Sequence, residues 1–162
     1  MWLSDAEIAD QALLEIAEKL EIGLTLNEYE WRLWLTHNWQ SLHFDLPSLR
    51  DRKVQYGVPK DGYRQNMGPA MSGIYFLFCG DELQYIGKAS NLSQRLWRHF
   101  VDRPNWDHVT WIEAPVECCE EVEHYYIHEF NPPQNVRRLA RGDLMRKLVK
   151  ANANTPDLRP SR

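Results

Sequence analysis

A few charged side chains stand where the sequence pattern calls for apolar ones. Asn91 has the character of an N-cap, and a helix is expected from Leu92 to about Arg103. Its apolar stripe falls on positions 92, 95, 96, 99, 100 and 103. Leu92, Leu96 and Phe100 fit that stripe; Arg95, His99 and Arg103 do not. Arg95 and His99 lie four apart on the face that should meet a sheet, so the sheet must offer a partner for a cation. A second helix, Val116 to Phe130, has the stripe Cys119, Val122, Glu123, Tyr126, Ile127 and Phe130. Glu123 alone breaks it, and a carboxylate in an apolar stripe needs a cation or a metal. Glu117, Glu120, Glu121 and Glu129 lie off the stripe and are expected in solvent. His124 and His128 share a helix face near Cys118 and Cys119, but no C-x-x-C exists and both histidines fall off the core stripe, so a zinc site is not expected.

The elements that would position these groups can be traced in order. Gly73–Cys79 and Leu83–Gly87 are apolar runs rich in aromatic and β-branched residues, separated by a Gly-Asp-Glu turn, and predict a β-hairpin. Asp107–Ala114 predicts a third strand, with Val109, Trp111 and Ala114 on one face. The run Asn131-Pro-Pro-Gln-Asn135 stops the second helix. Upstream, Ser4-x-x-Glu7 is a capping box opening a helix to about Leu20, and Thr25-x-x-Glu28 another opening a helix to about Trp39. The second of these begins acidic and carries Trp31, Trp34 and Trp39, unlike a DNA-reading helix. Residues 1–44 are therefore expected to be a helical hairpin packed on the main domain or on a partner. Residues 45–71, rich in Pro and Gly, are expected to be an irregular linker. It carries Arg50, Arg52, Lys53, Lys60 and Arg64 with Tyr56 and Tyr63, which suits either a solvated linker or nucleic-acid backbone binding. Residues 137–162 are expected to be a basic helix to about Lys150 and a disordered tail.

Composition narrows the class. Of 162 residues, 43% are apolar, enough for a substantial core. No 18-residue apolar run and no leader-like start are seen, and three cysteines do not make a disulfide framework, so a cytoplasmic protein with no membrane partner is expected. The net charge is −4, but it is unevenly spread: residues 1–30 hold eight acids and one base, and residues 137–162 eight bases and two acids. A basic segment on an acidic protein suits an anionic partner.

The segment 72–136 resembles the GIY-YIG nuclease domain. Gly73-Ile-Tyr75 and Tyr85-Ile-Gly87 match its two halves. Tyr75 to Tyr85 is ten residues, Tyr85 to Arg95 ten, and Glu123 to Asn135 twelve. The string YIGKASNLSQRL, His99 and the closing NPPQN match as well. The resemblance implies an α/β (α+β) domain with a small three-stranded sheet flanked by helices, here with an N-terminal helical extension. It implies hydrolysis of DNA phosphodiesters with a divalent metal, Mg²⁺ or Mn²⁺, and no organic cofactor. The family's catalytic Arg, metal-binding Glu and terminal Asn fall on Arg95, Glu123 and Asn135, and its tyrosines on Tyr75 and Tyr85.

In that reading Arg95 meets the phosphoryl oxygens, and Glu123 holds the metal. Water is the nucleophile, with Tyr75 as base and Tyr85 orienting water or phosphate, or the two exchanged. A phenolate needs a nearby cation, and Lys88 and Arg95 are candidates. His99 takes a proton or binds phosphate. Gly73 and Gly87 permit close approach; Asn135 fixes the helix end or a backbone phosphate; Lys88, Arg137, Arg138 and Arg141 bind the substrate backbone. The alternatives are a binding or scaffold module of the same fold that has lost turnover, an RNA-directed relative, and a purely structural Arg95–Glu123 salt bridge.

Overall fold

The structure, a computed structural model, describes residues 2–55, 68–102, 106–135 and 141–152. Lys60, Arg64, Tyr56, Tyr63, Arg103, Arg137, Arg138 and the expected tail lie outside the described residues. In chain order the elements are α1 (Asp5–Glu21), α2 (Glu28–Leu42), α3 (Leu46–Arg52), β1 (Val54–Gln55), β2 (Gly73–Cys79), β3 (Glu82–Ala89), α4 (Leu92–Asp102), β4 (His108–Glu113), α5 (Val116–Phe130) and α6 (Asp143–Ala151). Among the described residues no helix is long and apolar enough to cross a membrane.

The sheet is antiparallel, in the order β1-β4-β2-β3. Strand β2 lies inside it, and Gly73 to Phe78 are all buried. That explains its near-continuous apolar run, because both of its faces are covered. One face carries Ile74, Phe76, Phe78, Ile86 and Ile112 against α5; the other carries Tyr75, Leu77 and Val109 against Leu92 and Leu96 of α4. The expected three-stranded sheet is corrected to four strands. β1 pairs Val54 with Val109 and Gln55 with His108, and two residues are too short to leave an alternation in the sequence. Ala114, expected to share a face with Val109 and Trp111, instead joins Ile112 in the cluster under α5, because the strand ends at Glu113.

The segment expected to be linker from residue 45 also begins ordered. Asp45 accepts the Ser48 N–H at 2.8 Å, Pro47 sits in the first turn where its missing N–H is harmless, and Leu49 is fully buried. The second capping box is shifted from the expected one. It consists of Asn27 and Glu30, with bonds of 2.9 and 3.1 Å, rather than Thr25 and Glu28. The cause is Leu26, drawn into the core with its N–H donated to Glu117 Oε1 at 2.8 Å, which delays the helix start.

Helix α5 lies between the sheet and a second layer of helices. Ile16, Trp31, Leu35 and Leu42 from α1 and α2 share its core cluster with Met145 of α6. The Tyr126 hydroxyl, buried within that layer, donates to Leu42 O and accepts from Phe44 N. Glu121, expected in solvent, is buried: its carboxylate accepts the Gly142 N–H and the Met145 N–H, each at 3.0 Å, and so caps α6 from another helix. Gly142 makes that approach possible. Its φ is 103°, and a Cβ there would stand 2.9 Å from Tyr125 N. With Met145 fully buried, α6 is part of the core rather than a detachable basic tail.

Replacing Tyr126 with Phe should leave Leu42 O and Phe44 N buried without their bond. We expect a loss of about 1–3 kcal/mol, read as a lower urea midpoint with unchanged slope.

Candidate active site

Tyr75 stands opposite Gly87 in the β2–β3 register, on the α4 face of the sheet. Its ring lies over Gly87, where a Cβ would come within 2.3 Å of both Cζ and the hydroxyl. Only glycine leaves that space, so the hydroxyl reaches across the edge strand. There it lies 2.7 Å from His99 Nε2, and the Arg95 Nε donates to it at 3.4 Å. One proton lies between the Tyr75 oxygen and His99 Nε2, and the phenol donates it when the imidazole carries its own proton on Nδ1.

His99 is held in an aromatic frame. Its ring centroid lies 5.3 Å from Tyr75, 5.6 Å from Tyr85 and 5.3 Å from Trp106, and Trp106 stacks on Tyr85 at 6.0 Å. Trp106 is 5% exposed, so it shields this side of the histidine from water. Sequence reasoning missed it; its only signal was an aromatic just ahead of the third strand.

Burial pushes the Tyr75 phenol well above its ordinary value of 10, against the opposing pull of the Arg95 hydrogen bond. Tyr75 is therefore a neutral phenol at pH 7. The same bond raises the Arg95 guanidinium above its usual range. Arg95 forms no ion pair among the described residues, which corrects the reading of a structural Arg95–Glu123 salt bridge.

Glu123 approaches from the opposite face of the sheet, on α5, and is 1% exposed. Its charge acts on Tyr75, Arg95 and Cys119. The two faces meet because β3 is the edge strand. His124, expected off the core, is buried; its Nδ1 accepts the Arg141 N–H at 3.0 Å, which puts its own proton on Nε2, 3.7 Å from Glu123 Oε1. No group of three or more His, Cys, Asp or Glu side chains among the described residues is arranged to hold a metal ion. Glu123 fits a hard cation as a single carboxylate ligand, since Mg²⁺ keeps several waters and takes further oxygens from substrate.

The remaining expected site residues fall in different places. Lys88 is exposed next to the cluster, and its charge lowers the Cys119 thiol against the stronger effect of burial. Asn135 grips the β3 edge: its Oδ1 accepts Ile86 N and its Nδ2 donates to Ile86 O, both at 2.8 Å. Its amide thus positions the strand that carries Tyr85 and Gly87. Arg141 lies at the start of α6, its side chain 3.5 Å from Glu120, away from the tyrosine cluster. Arg137 and Arg138 lie outside the described residues.

No protein-family model matches the chain, and no curated protein does. Among solved structures, the GIY-YIG N-terminal endonuclease domain of UvrC from Thermotoga maritima is similar. Its magnesium-bound form is 25% identical over 43% of this chain and 89% of that one, with a TM-score of 0.39. Two point mutants bound to the catalytic divalent cation are 27% and 25% identical over 44% of this chain and 89% of theirs, each with a TM-score of 0.40. This chain resembles a GIY-YIG domain. In this GIY-YIG-like chain the extension α1–α3 and helix α6 lie outside the motif-bearing segment, yet α1, α2 and α6 pack with α5, which carries Glu123.

Two outcomes follow from this geometry. Gly87→Ala should force the Tyr75 ring off the edge strand, at a cost of about 1–3 kcal/mol in stability and with loss of whatever activity depends on the hydroxyl. An alanine variant with parental melting temperature and activity would refute the close approach. Stability should also fall at alkaline pH. Burial raises Tyr75 and Cys118, and pushes Tyr125 and Cys119 each up to about 12. A raised folded value means the folded state holds the proton more tightly. The contribution is then complete below the ordinary values of 9 and 10 and lost as pH rises through the folded ones. Urea midpoints should be level from pH 7 to about 8.5 and drop steadily from there to pH 11.

Proposed function

We propose that this chain is a metal-dependent endonuclease that hydrolyses DNA phosphodiester bonds with water as nucleophile. The observation that carries the reading is the Tyr75 hydroxyl, held between His99 Nε2 and the Arg95 guanidinium at an edge strand that Glu123 reaches from the other face. A phenol, an imidazole and a guanidinium meet there within reach of the Glu123 charge, and among the described residues Arg95 forms no ion pair, so it is available to an external anion.

Arg95 keeps its Nη donors for two phosphoryl oxygens while its Nε holds Tyr75. Tyr75 removes the proton of the attacking water and passes its own to His99. The raised phenol value is compatible with this, because a relay requires no lasting phenolate; the net acceptor is the His99 imidazole. Tyr85, whose ring lies 6.1 Å from that of Tyr75, positions the water or phosphate. Glu123 would hold Mg²⁺ or Mn²⁺, and the bound ion supplies Lewis-acid stabilisation of the leaving oxygen.

Cleavage of duplex, branched and single-stranded DNA should require Mg²⁺ or Mn²⁺ and stop in excess EDTA; full activity in EDTA removes the role given to Glu123. Glu123→Gln separates chemistry from stability. The rate should drop on the order of a thousandfold, about 4 kcal/mol, with an unchanged melt and metal-free DNA affinity equal or tighter. A stable variant that cuts like the parent sinks the mechanism. A parent that binds DNA but never cuts leaves the binding-module alternative, and a preference for RNA the RNA-directed one. With Tyr75 relaying as a neutral phenol, the parent rate should not track phenolate formation between pH 8 and 9, and Tyr75→Phe should be slower than the parent at every pH in that range.

A further inference from the structure

Helix α4 carries a polar stripe beside the catalytic cluster. Asn91, Gln94, Arg95 and Arg98 follow the i, i+3, i+4, i+7 spacing and so share one face of the helix. With Lys88 and Ser90 at the end of β3 they line an open groove of roughly 370 Å³. Three of its lining residues are cations and none is an acid, in a protein of net charge −4. Several cations elsewhere are ion-paired: Lys19 with Glu30, Arg32 with Glu28, Lys53 with Asp81, Arg141 with Glu120, Arg146 with Asp143. Among the described residues, the side chains of Lys88, Gln94 and Arg98 make no hydrogen bond or ion pair. Asn91 Oδ1 is already committed to the Gln94 N–H as the cap of α4.

Uncompensated cations with an amide between them recognise an oxyanion. Arg95 is tied to Tyr75 and addresses the phosphate that reacts; Arg98 leaves the helix three residues further on, about 4.5 Å along its axis. Two long guanidinium side chains at that spacing reach successive phosphates of one strand. Resting on the nuclease reading above, we propose that this groove is a subsite for the phosphate adjacent to the cleaved one on the same nucleic-acid strand. Arg98 holds it bidentately, Gln94 donates from its amide, and Lys88 contributes a point charge. The ligand is a charged backbone phosphodiester, recognised without regard to base identity.

The test uses the full chain and a fluorescein-labelled 20-base-pair duplex. Affinity is measured in EDTA across a salt series, and cleavage afterwards in Mg²⁺. Arg98→Gln should lower metal-free affinity about five- to tenfold and reduce the slope of log affinity against log salt by roughly 0.9, the release from one phosphate contact. Arg98→Lys should recover most of the slope and only part of the affinity. Under cleavage conditions KM should rise more than kcat falls. A set of duplexes, each with one uncharged methylphosphonate, then locates the contact. The substitution next to the cut should weaken the parent by the same factor as Arg98→Gln, and cost that variant nothing further. Equal penalties in parent and variant at every position, or an unchanged salt slope, overturn the subsite. If cutting persists while that coupling is absent, the subsite fails and the nuclease reading stands. If the coupling is present in EDTA and no cutting occurs, the subsite stands and the nuclease reading fails.

Discussion

The contact between the Tyr75 ring and Gly87 is the constraint on which the site depends. A tyrosine on an inner strand would ordinarily bury its hydroxyl inside the core. Here the neighbouring edge strand has no side chain at the opposed position, so the ring extends across it and presents its oxygen to His99 and Arg95. Every other feature of the cluster follows from that displacement. The aromatic frame of Tyr85 and Trp106 restricts the histidine, and α4 delivers the guanidinium from the same face. Asn135 then holds β3 itself in place through both polar groups of Ile86.

Helix α5 joins this cluster to the rest of the molecule. Its sheet side carries Glu123 and Tyr126, whose ring meets Phe76 and whose hydroxyl reaches the end of α2; its outer side anchors the other helices through Glu117 to Leu26 and Glu121 to the start of α6. One helix thus serves two layers, and almost all of its middle is buried. The buried carboxylates differ in their solution. Glu121 is satisfied by backbone N–H groups, whereas Glu123 faces Tyr75 and Arg95 through its charge. A helix end has free donors and so can accept a carboxylate without any cation.

Much of this was legible in the sequence. The hairpin Gly73–Cys79 with its return strand, and the helix Val116–Phe130, emerged at their observed positions because period and punctuation agree there. Glu123 and His99 announced themselves by breaking apolar stripes, and both are buried. Glu121 and His124 were misplaced because stripe reasoning assigns one buried face, and α5 has two. Strand β1 escaped notice because two residues carry no period, and α3 because Pro47 was taken as a loop mark rather than a first-turn residue. Trp106 gave no more signal than an aromatic ahead of a strand, since its role arises only when the chain returns beside His99. The placement of Asn135 could not be read either: a side chain that imitates a neighbouring strand is visible only in three dimensions.

That imitation has a consequence for how the protein behaves in company. An edge strand normally exposes a row of donors and acceptors that another chain can adopt, and this is a common origin of aggregation. On β3 the row is occupied by the chain itself, with Gln134 N bonded to Gln84 O at 3.1 Å and Asn135 closing both groups of Ile86. The opposite edge is β1. The middle of the β3 edge is therefore covered by main chain and amide, so a second copy meeting it in a crowded solution finds those positions already taken.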